Sequence, residues 1–143
     1  MGSRREPWSA LGRADFVWHS HADHPLPRPV VQPTVSARYR PVGWLHRGQE
    51  RPLSARTGPC VVVTGIARPS GFLCTLLSLG IEPGAVHILP DHAPLSDVPP
   101  GAVMTEKDAA RLPPDADVWA LRMTLTVEGA EPLLAAIAAL EGA

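Results

Sequence analysis

The sequence predicts a layered α/β domain: a mostly parallel sheet flanked by helices, preceded by an extended, hairpin-like segment. Three observations predict it. Pro59–Gly65 is apolar and β-branched through Val61, Val62 and Val63, as expected of a strand covered on both faces. Phe72, Leu73, Leu76, Leu77 and Leu79 then recur at helical spacing, with Gly80 as a stop. The short apolar run Ala85–Leu89 completes a strand–helix–strand unit, which requires a parallel pair.

The 143 residues suit one domain with a modest core. The 17 prolines cluster in the first third and around 90–114, which disfavours long regular elements there. A net charge of −1 gives no electrostatic reason to expect a nucleic-acid partner. Cys60 and Cys74 both sit in apolar contexts and read as buried free thiols of a cytoplasmic protein. No apolar run approaches the roughly 20 residues of a membrane-spanning helix.

In chain order, Pro7 suits the first turn of a short helix in which Trp8 and Leu11 share a face. Phe16–Trp18 reads as a short strand. His19, His21 and His24 with Asp23 have the residue types of a zinc or nickel site. The following Pro25–Pro29 stretch makes an exposed loop the simpler reading, and no metal site is assigned to the cluster. Residues 30–57 read as extended, with Arg47–Glu50 as the turn of a β-hairpin. Arg38, Arg40, Arg47, Arg51 and Arg56 make this part basic, either as a solvated face or as a surface for an anionic headgroup.

Beyond residue 58 the character changes, and the chain divides into 1–58 and 59–143. After the first strand–helix unit, Pro83–Gly84 reads as a turn into a buried strand at Ala85–Leu89. Gly101–Met104 is a further strand. Thr105 caps the helix that follows, with Asp108 three residues on, as in a capping box. Val118–Leu121 and Met123–Val127 read as two strand pieces. Residues 130–141 form a last helix with Leu133, Leu134, Ile137 and Leu140 facing inward.

The segment Pro90-Asp91-His92-Ala93-Pro94 follows a strand end, where open α/β sheets place their ligands. Alone it also fits an ordinary turn, with Asp91 between two prolines and His92 in solvent. Gly65 and Lys107 follow other strand ends and are candidates for the edge of the same site.

Four segments, taken together, resemble the C-terminal part of the tetraacyldisaccharide 4′-kinase family, the lipid A 4′-kinases of Gram-negative bacteria. They are Arg5-Glu6-Pro7 with Leu11 and Arg13-Ala14-Asp15; Gly65-Ile66-Ala67 with Pro69, Phe72, Leu76 and Gly80; Leu89-Pro90-Asp91-His92; and Thr105-Glu106-Lys107-Asp108-Ala109. The resemblance implies a lobe of a P-loop NTPase-type kinase. It implies transfer of the ATP γ-phosphate, with Mg2+, to the 4′-hydroxyl of a lipid A disaccharide precursor. It places the protein in the cytoplasm, peripheral to the inner membrane. His92 matches the family's catalytic histidine and Asp91 would support it. Glu6 and Arg5 would lie near the magnesium and phosphates.

A G-x-x-x-x-G-K-[ST] run does not occur in the sequence, nor does the family's acidic DDG-x-Q segment. The expectation is therefore a chain that begins near the family's second half and is inactive alone, with the family's N-terminal lobe as a partner. The alternative is a non-catalytic α/β module that binds an anionic headgroup or a partner protein through its basic hairpin.

Overall fold

In a computed structural model, residues 6–90 and 93–142 are described. Contacts group the chain into two compact units, Met1–Arg40 with Leu125–Ala143, and Pro41–Thr124. The sequence boundary at 58/59 marks a change in residue character, which is a different criterion. Seven strands are present among the described residues: β1 (Val17–His19), β2 (Thr34–His46), β3 (Gln49–Arg51), β4 (Gly58–Thr64), β5 (Ile81–Ile88), β6 (Ala102–Thr105) and β7 (Val118–Glu128). The helices are α1 (Pro69–Ser78), α2 (Glu106–Ala109) and α3 (Glu131–Glu141). This is the mixed α/β architecture expected, with mostly parallel strands and flanking helices.

In the second unit the strand order is β3-β2-β7-β6-β4-β5. β5, β4, β6 and β7 pair in parallel, and β2 and β3 form an antiparallel hairpin. The two sheet faces carry separate clusters because neighbours in a strand point to opposite sides. Val62, Val103 and Leu121 face Trp44, Leu76 and Ile81. Val63, Ala102, Met104 and Val118 face Leu89, Leu112 and Ala109. Trp44 is fully buried, donates its indole N–H to the Leu53 carbonyl at 3.0 Å and meets Trp119 edge-on. That bond satisfies the polar edge of a side chain otherwise surrounded by hydrocarbon.

The hairpin turns on Arg47 (φ 49°) and Gly48 (φ 72°), two left-handed residues in a two-residue loop. This twist matches the flanking strands and is easy for glycine but costly for arginine. A salt bridge from the Arg47 guanidinium to Asp117 at 3.3 Å accompanies the strained residue.

Pro69 opens α1 and Gly80 (φ 75°) closes it, with the Gly80 N–H on the Leu77 carbonyl at 3.0 Å. The chain passes directly into β5. The strand expected at Ala85–Leu89 therefore begins earlier, at Ile81, and Pro83–Gly84 is not a turn. The register shifts between Cys60 and Val61, whose partners are Pro83 and Ala85, so Gly84 is an extra residue in a bulge. A bulge suits a strand whose proline has no N–H to donate. β5 is also not buried: Val86 is 38% and Ile88 58% exposed. β5 has β4 on one side and ends the strand order, so its apolar composition alone could not reveal its position.

Three further expectations are corrected. The two strand pieces near the C-terminus are one strand, β7, of 11 residues. The helix at Trp8–Arg13 is a 3-10 helix, and Pro7 precedes it in extended conformation instead of lying in its first turn. Cys60 is buried, and desolvation pushes its thiol pKa up, but Cys74 is exposed on α1.

In the first unit, β1 pairs in parallel with the start of β2 through Val17–Thr34, Trp18–Val35 and His19–Ser36. α3 is not packed inward as its periodicity suggests. Leu134, Ile137 and Leu140 are 61%, 45% and 77% exposed, and no residue of α3 is buried.

A pair of glycines separates backbone constraint from helix propensity. A Cβ at Gly43 would lie 2.8 Å from the Arg51 carbonyl oxygen in the hairpin, whereas one at Gly71 of α1 meets nothing within 4 Å. Gly43→Ala is expected to cost about 1–3 kcal/mol in urea unfolding. Gly71→Ala is expected to add about 0.5–1 kcal/mol. Equal effects would refute this reading of the hairpin.

Candidate functional site

β4 and β6 are parallel, with Val62 opposite Val103, and each ends two residues later in a threonine, Thr64 and Thr105. Thr64 also lies opposite Ile88, the end of β5. The segments after β4, β5 and β6 therefore leave one sheet edge, the position where parallel sheets hold ligands. These are the three segments that begin at Gly65, Leu89 and Glu106.

One buried carboxylate joins two of them. Asp108 is 2% exposed. It accepts the Thr64 hydroxyl at 2.9 Å, the Thr105 hydroxyl at 2.9 Å and the Gly65 N–H at 3.2 Å. The Asp108 N–H in turn donates to the Thr105 hydroxyl oxygen at 3.2 Å, the expected helix cap. The other half of the predicted capping box is altered. In the standard arrangement the third residue's side chain returns to the cap residue's backbone N–H. Asp108 binds the cap hydroxyl instead and extends across to the end of β4. Buried charge is tolerated because several donors surround it.

The third segment is tied in from both ends. The Leu89 N–H donates to the Thr64 carbonyl at 2.8 Å, and the Arg111 guanidinium binds the Ala93 carbonyl. Arg111 itself follows Asp108, with its backbone N–H on the Asp108 carbonyl at 3.1 Å. Asp91 and His92, between these anchors in sequence, lie outside the described residues. Arg5 lies outside them as well.

Of the remaining candidates, Gly65 is half-buried in the Asp108 network and Lys107 is exposed on α2. Both belong to the second unit. Glu6 belongs to the first; it is exposed and paired with Arg13 at 3.2 Å. Among the described residues no group of three or more His, Cys, Asp or Glu is placed to hold a metal, and that includes the His19–His24 stretch. Magnesium at phosphates is commonly held by one or two carboxylates with water and the phosphates themselves, so an exposed carboxylate such as Glu6 is of the right type for that role. Asp108, Thr64 and Arg111 were not singled out as site residues by sequence reasoning. A usable signal existed: the two threonines end neighbouring parallel strands, and an acid follows one of them at cap spacing.

Of the five arginines in residues 30–57, Arg38, Arg40 and Arg47 are paired with carboxylates, whereas Arg51 donates to the Gln49 side chain and Arg56 to main-chain carbonyls. Arg40 binds Asp23 at 2.8 Å, Arg38 binds Glu128 at 2.9 Å, and Arg47 binds Asp117. For those three the pairing offsets their charge within the unit that carries them. Asp23 is held below the usual carboxylate range, chiefly by its hydrogen bond from Arg40. Asp117 is held low first by its hydrogen bond from His46, at 2.9 Å, and then by Arg47. His46 also stacks on Trp119, with ring centroids 4.1 Å apart. No helix among the described residues is long and apolar enough to cross a membrane.

Residues 1–141 match the family model of LpxK, tetraacyldisaccharide-1-P 4′-kinase. This chain belongs to that family. A tetraacyldisaccharide 4′-kinase of Anaeromyxobacter dehalogenans (strain 2CP-C) is 35% identical over 140 residues, covering 79% of this chain and 37% of that protein. One from Neisseria gonorrhoeae (strain ATCC 700825 / FA 1090) is 35% identical over 141 residues, covering 89% and 40%. A crystal structure of LpxK from Aquifex aeolicus, described as an "apo" form in complex with ATP, superposes with a TM-score of 0.67 at 26% identity, covering 90% of this chain and 43% of that one. The chain thus spans about two fifths of the length of these LpxK relatives, and the portion matched is their C-terminal one.

Two outcomes test the geometry. Asp108→Asn removes the charge that three donors share and is expected to cost roughly 2–4 kcal/mol in denaturant unfolding. Thr64→Val removes one hydroxyl and is expected to cost about 1 kcal/mol; equal effects would contradict the carboxylate's central role. Asp117 gives a pH effect. Its folded pKa lies below the ordinary 3.8, so its pairing stabilises the fold above that value and is lost as pH falls through the lowered one. Asp117→Asn is therefore expected to reduce the drop in Tm between about pH 5 and about pH 3. An unchanged drop would assign it to other carboxylates.

Proposed function

We propose that this chain supplies the C-terminal part of a lipid A 4′-kinase. That enzyme would move the γ-phosphoryl group of ATP to the 4′-oxygen of tetraacyldisaccharide 1-phosphate, releasing ADP. The observation that carries this reading is the joining of the Gly65 and Thr105–Ala109 segments through Asp108 at the edge where β5 leads to Asp91-His92. His92 helps remove the proton of the attacking hydroxyl, and Asp91 orients or supports it. Imidazole is suited to that step because its proton affinity lies near neutral pH.

Phosphoryl transfer depends mainly on positioning and on neutralising phosphate charge. The family chemistry uses Mg2+ with ATP, and Glu6 and Arg5 are the residues of this chain nearest to that role by motif. A G-x-x-x-x-G-K-[ST] run does not occur in this sequence, so the phosphate-binding side is assigned to the remaining portion of the family's chain. The proposed setting is the cytoplasmic face of the inner membrane, where an acylated substrate is available to a peripheral protein.

The isolated chain is expected to show no ATP-dependent phosphorylation of the disaccharide, and measurable turnover would overturn that. Joined to the remaining portion of a relative such as the Anaeromyxobacter dehalogenans kinase, it is expected to give turnover. His92→Ala should lower kcat of that joined enzyme by about 100-fold or more with a smaller change in KM. An active joined enzyme with unaltered kcat in the His92→Ala variant would remove His92 from the mechanism.

A further inference from the structure

The two units differ sharply in how they treat apolar side chains. Of the fourteen buried apolar residues among those described, the first unit holds two, Val35 and Ala37. Of the twelve exposed large hydrophobics, it holds eight. The second unit has the reverse balance and two core clusters of its own. So little buried hydrocarbon leaves this unit with a small hydrophobic contribution of its own. Its exposed apolar groups are also patterned. Leu134, Ile137 and Leu140 lie three residues apart on one face of α3, and Leu125 and Val127 share one face of β7. A patterned apolar face of this kind marks a surface that is covered in the working protein.

We infer that the α3 face of the first unit, Leu134, Ile137 and Leu140, is the docking surface for the remaining portion of the LpxK chain. The inference rests on the family reading above and names which residues of this chain make the contact. Three observations choose the occupant over a second copy or a lipid surface. The matched length is 37–43% of the relatives, so most of the family's chain lies outside this segment. The exposure is concentrated in the unit that lacks a core, as expected where a hydrophobic core is shared with chain outside the segment. A lipid-facing helix would carry Lys or Arg on its polar side. α3, Glu131–Glu141, has no basic residue and has a glutamate at each end.

The test is co-expression of this chain with the portion of the Anaeromyxobacter dehalogenans (strain 2CP-C) kinase that lies outside the matched segment. Complex formation is read by affinity co-purification and size-exclusion chromatography. That kinase's own matched segment serves as the positive control. A 1:1 complex is expected, and the triple variant L134K/I137K/L140K is expected to retain at least about tenfold less partner. Leu77→Lys and Ile88→Lys, at exposed apolar positions of the second unit, should leave it unchanged. Circular dichroism of each variant separates lost docking from lost folding. Equal co-purification with the triple variant overturns the inference, as does no complex where the positive control forms one. A second measurement needs no partner: light scattering of the chain alone. A dimer abolished by the triple variant would make a second copy the occupant and overturn the assignment. Failure of turnover in the joined enzyme with an intact complex would instead count against the proposed chemistry.

Discussion

A single carboxylate organises the edge of the second unit. Asp108 is buried, and its charge would be costly there without donors. Two threonine hydroxyls and a backbone N–H supply them. Because the donors come from the ends of β4 and β6, satisfying the charge also fixes two loops against each other. The same residue caps α2, so the start of that helix, the Gly65 turn and the strand ends are set together. Its main-chain carbonyl also receives the Arg111 N–H, and the Arg111 side chain reaches Ala93. In this way Asp108, together with Arg111, connects three of the four segments that carry the family's motifs.

That arrangement is a natural consequence of parallel pairing. Parallel strands send successive loops to the same edge, so motifs distant in sequence arrive together without a dedicated scaffold. The proposed phosphoryl transfer would draw both on such placement and on neutralisation of the phosphate charge. Among the described residues no group of three or more His, Cys, Asp or Glu is placed to hold a metal. Glu6, the one described acidic candidate from the REP segment, is committed to Arg13. The division of labour proposed for LpxK, with proton handling on this portion and phosphate binding on the remainder, rests on the matched motifs and on the P-loop run that does not occur in this sequence.

The distribution of apolar side chains tells a parallel story. The second unit covers both faces of its sheet and satisfies even the Trp44 indole. The first unit has ion pairs and a short parallel strand pair but almost no buried hydrocarbon. Surface ion pairs such as Arg40–Asp23 contribute little to stability when exposed. The apolar face of α3 is therefore the more informative feature of that unit.

The order of elements, the strand at Gly58–Thr64, the helix closed by Gly80, the Thr105 cap and the family itself were legible in the sequence. Each depends on local chemistry: β-branched runs, helical spacing, left-handed glycine, cap spacing and short motifs. The apolar run near 85 announced a strand but not that it would be exposed at the edge, since burial depends on how many neighbours a strand acquires. Leu134, Ile137 and Leu140 announced a helix face but not what covers it. The sequence could place Asp108 in a cap; only the parallel register of β4 and β6 turned its carboxylate toward Thr64 and Gly65. Local propensity is written residue by residue, whereas the surroundings of a side chain are set by residues distant in the chain, and those only the tertiary structure brings together.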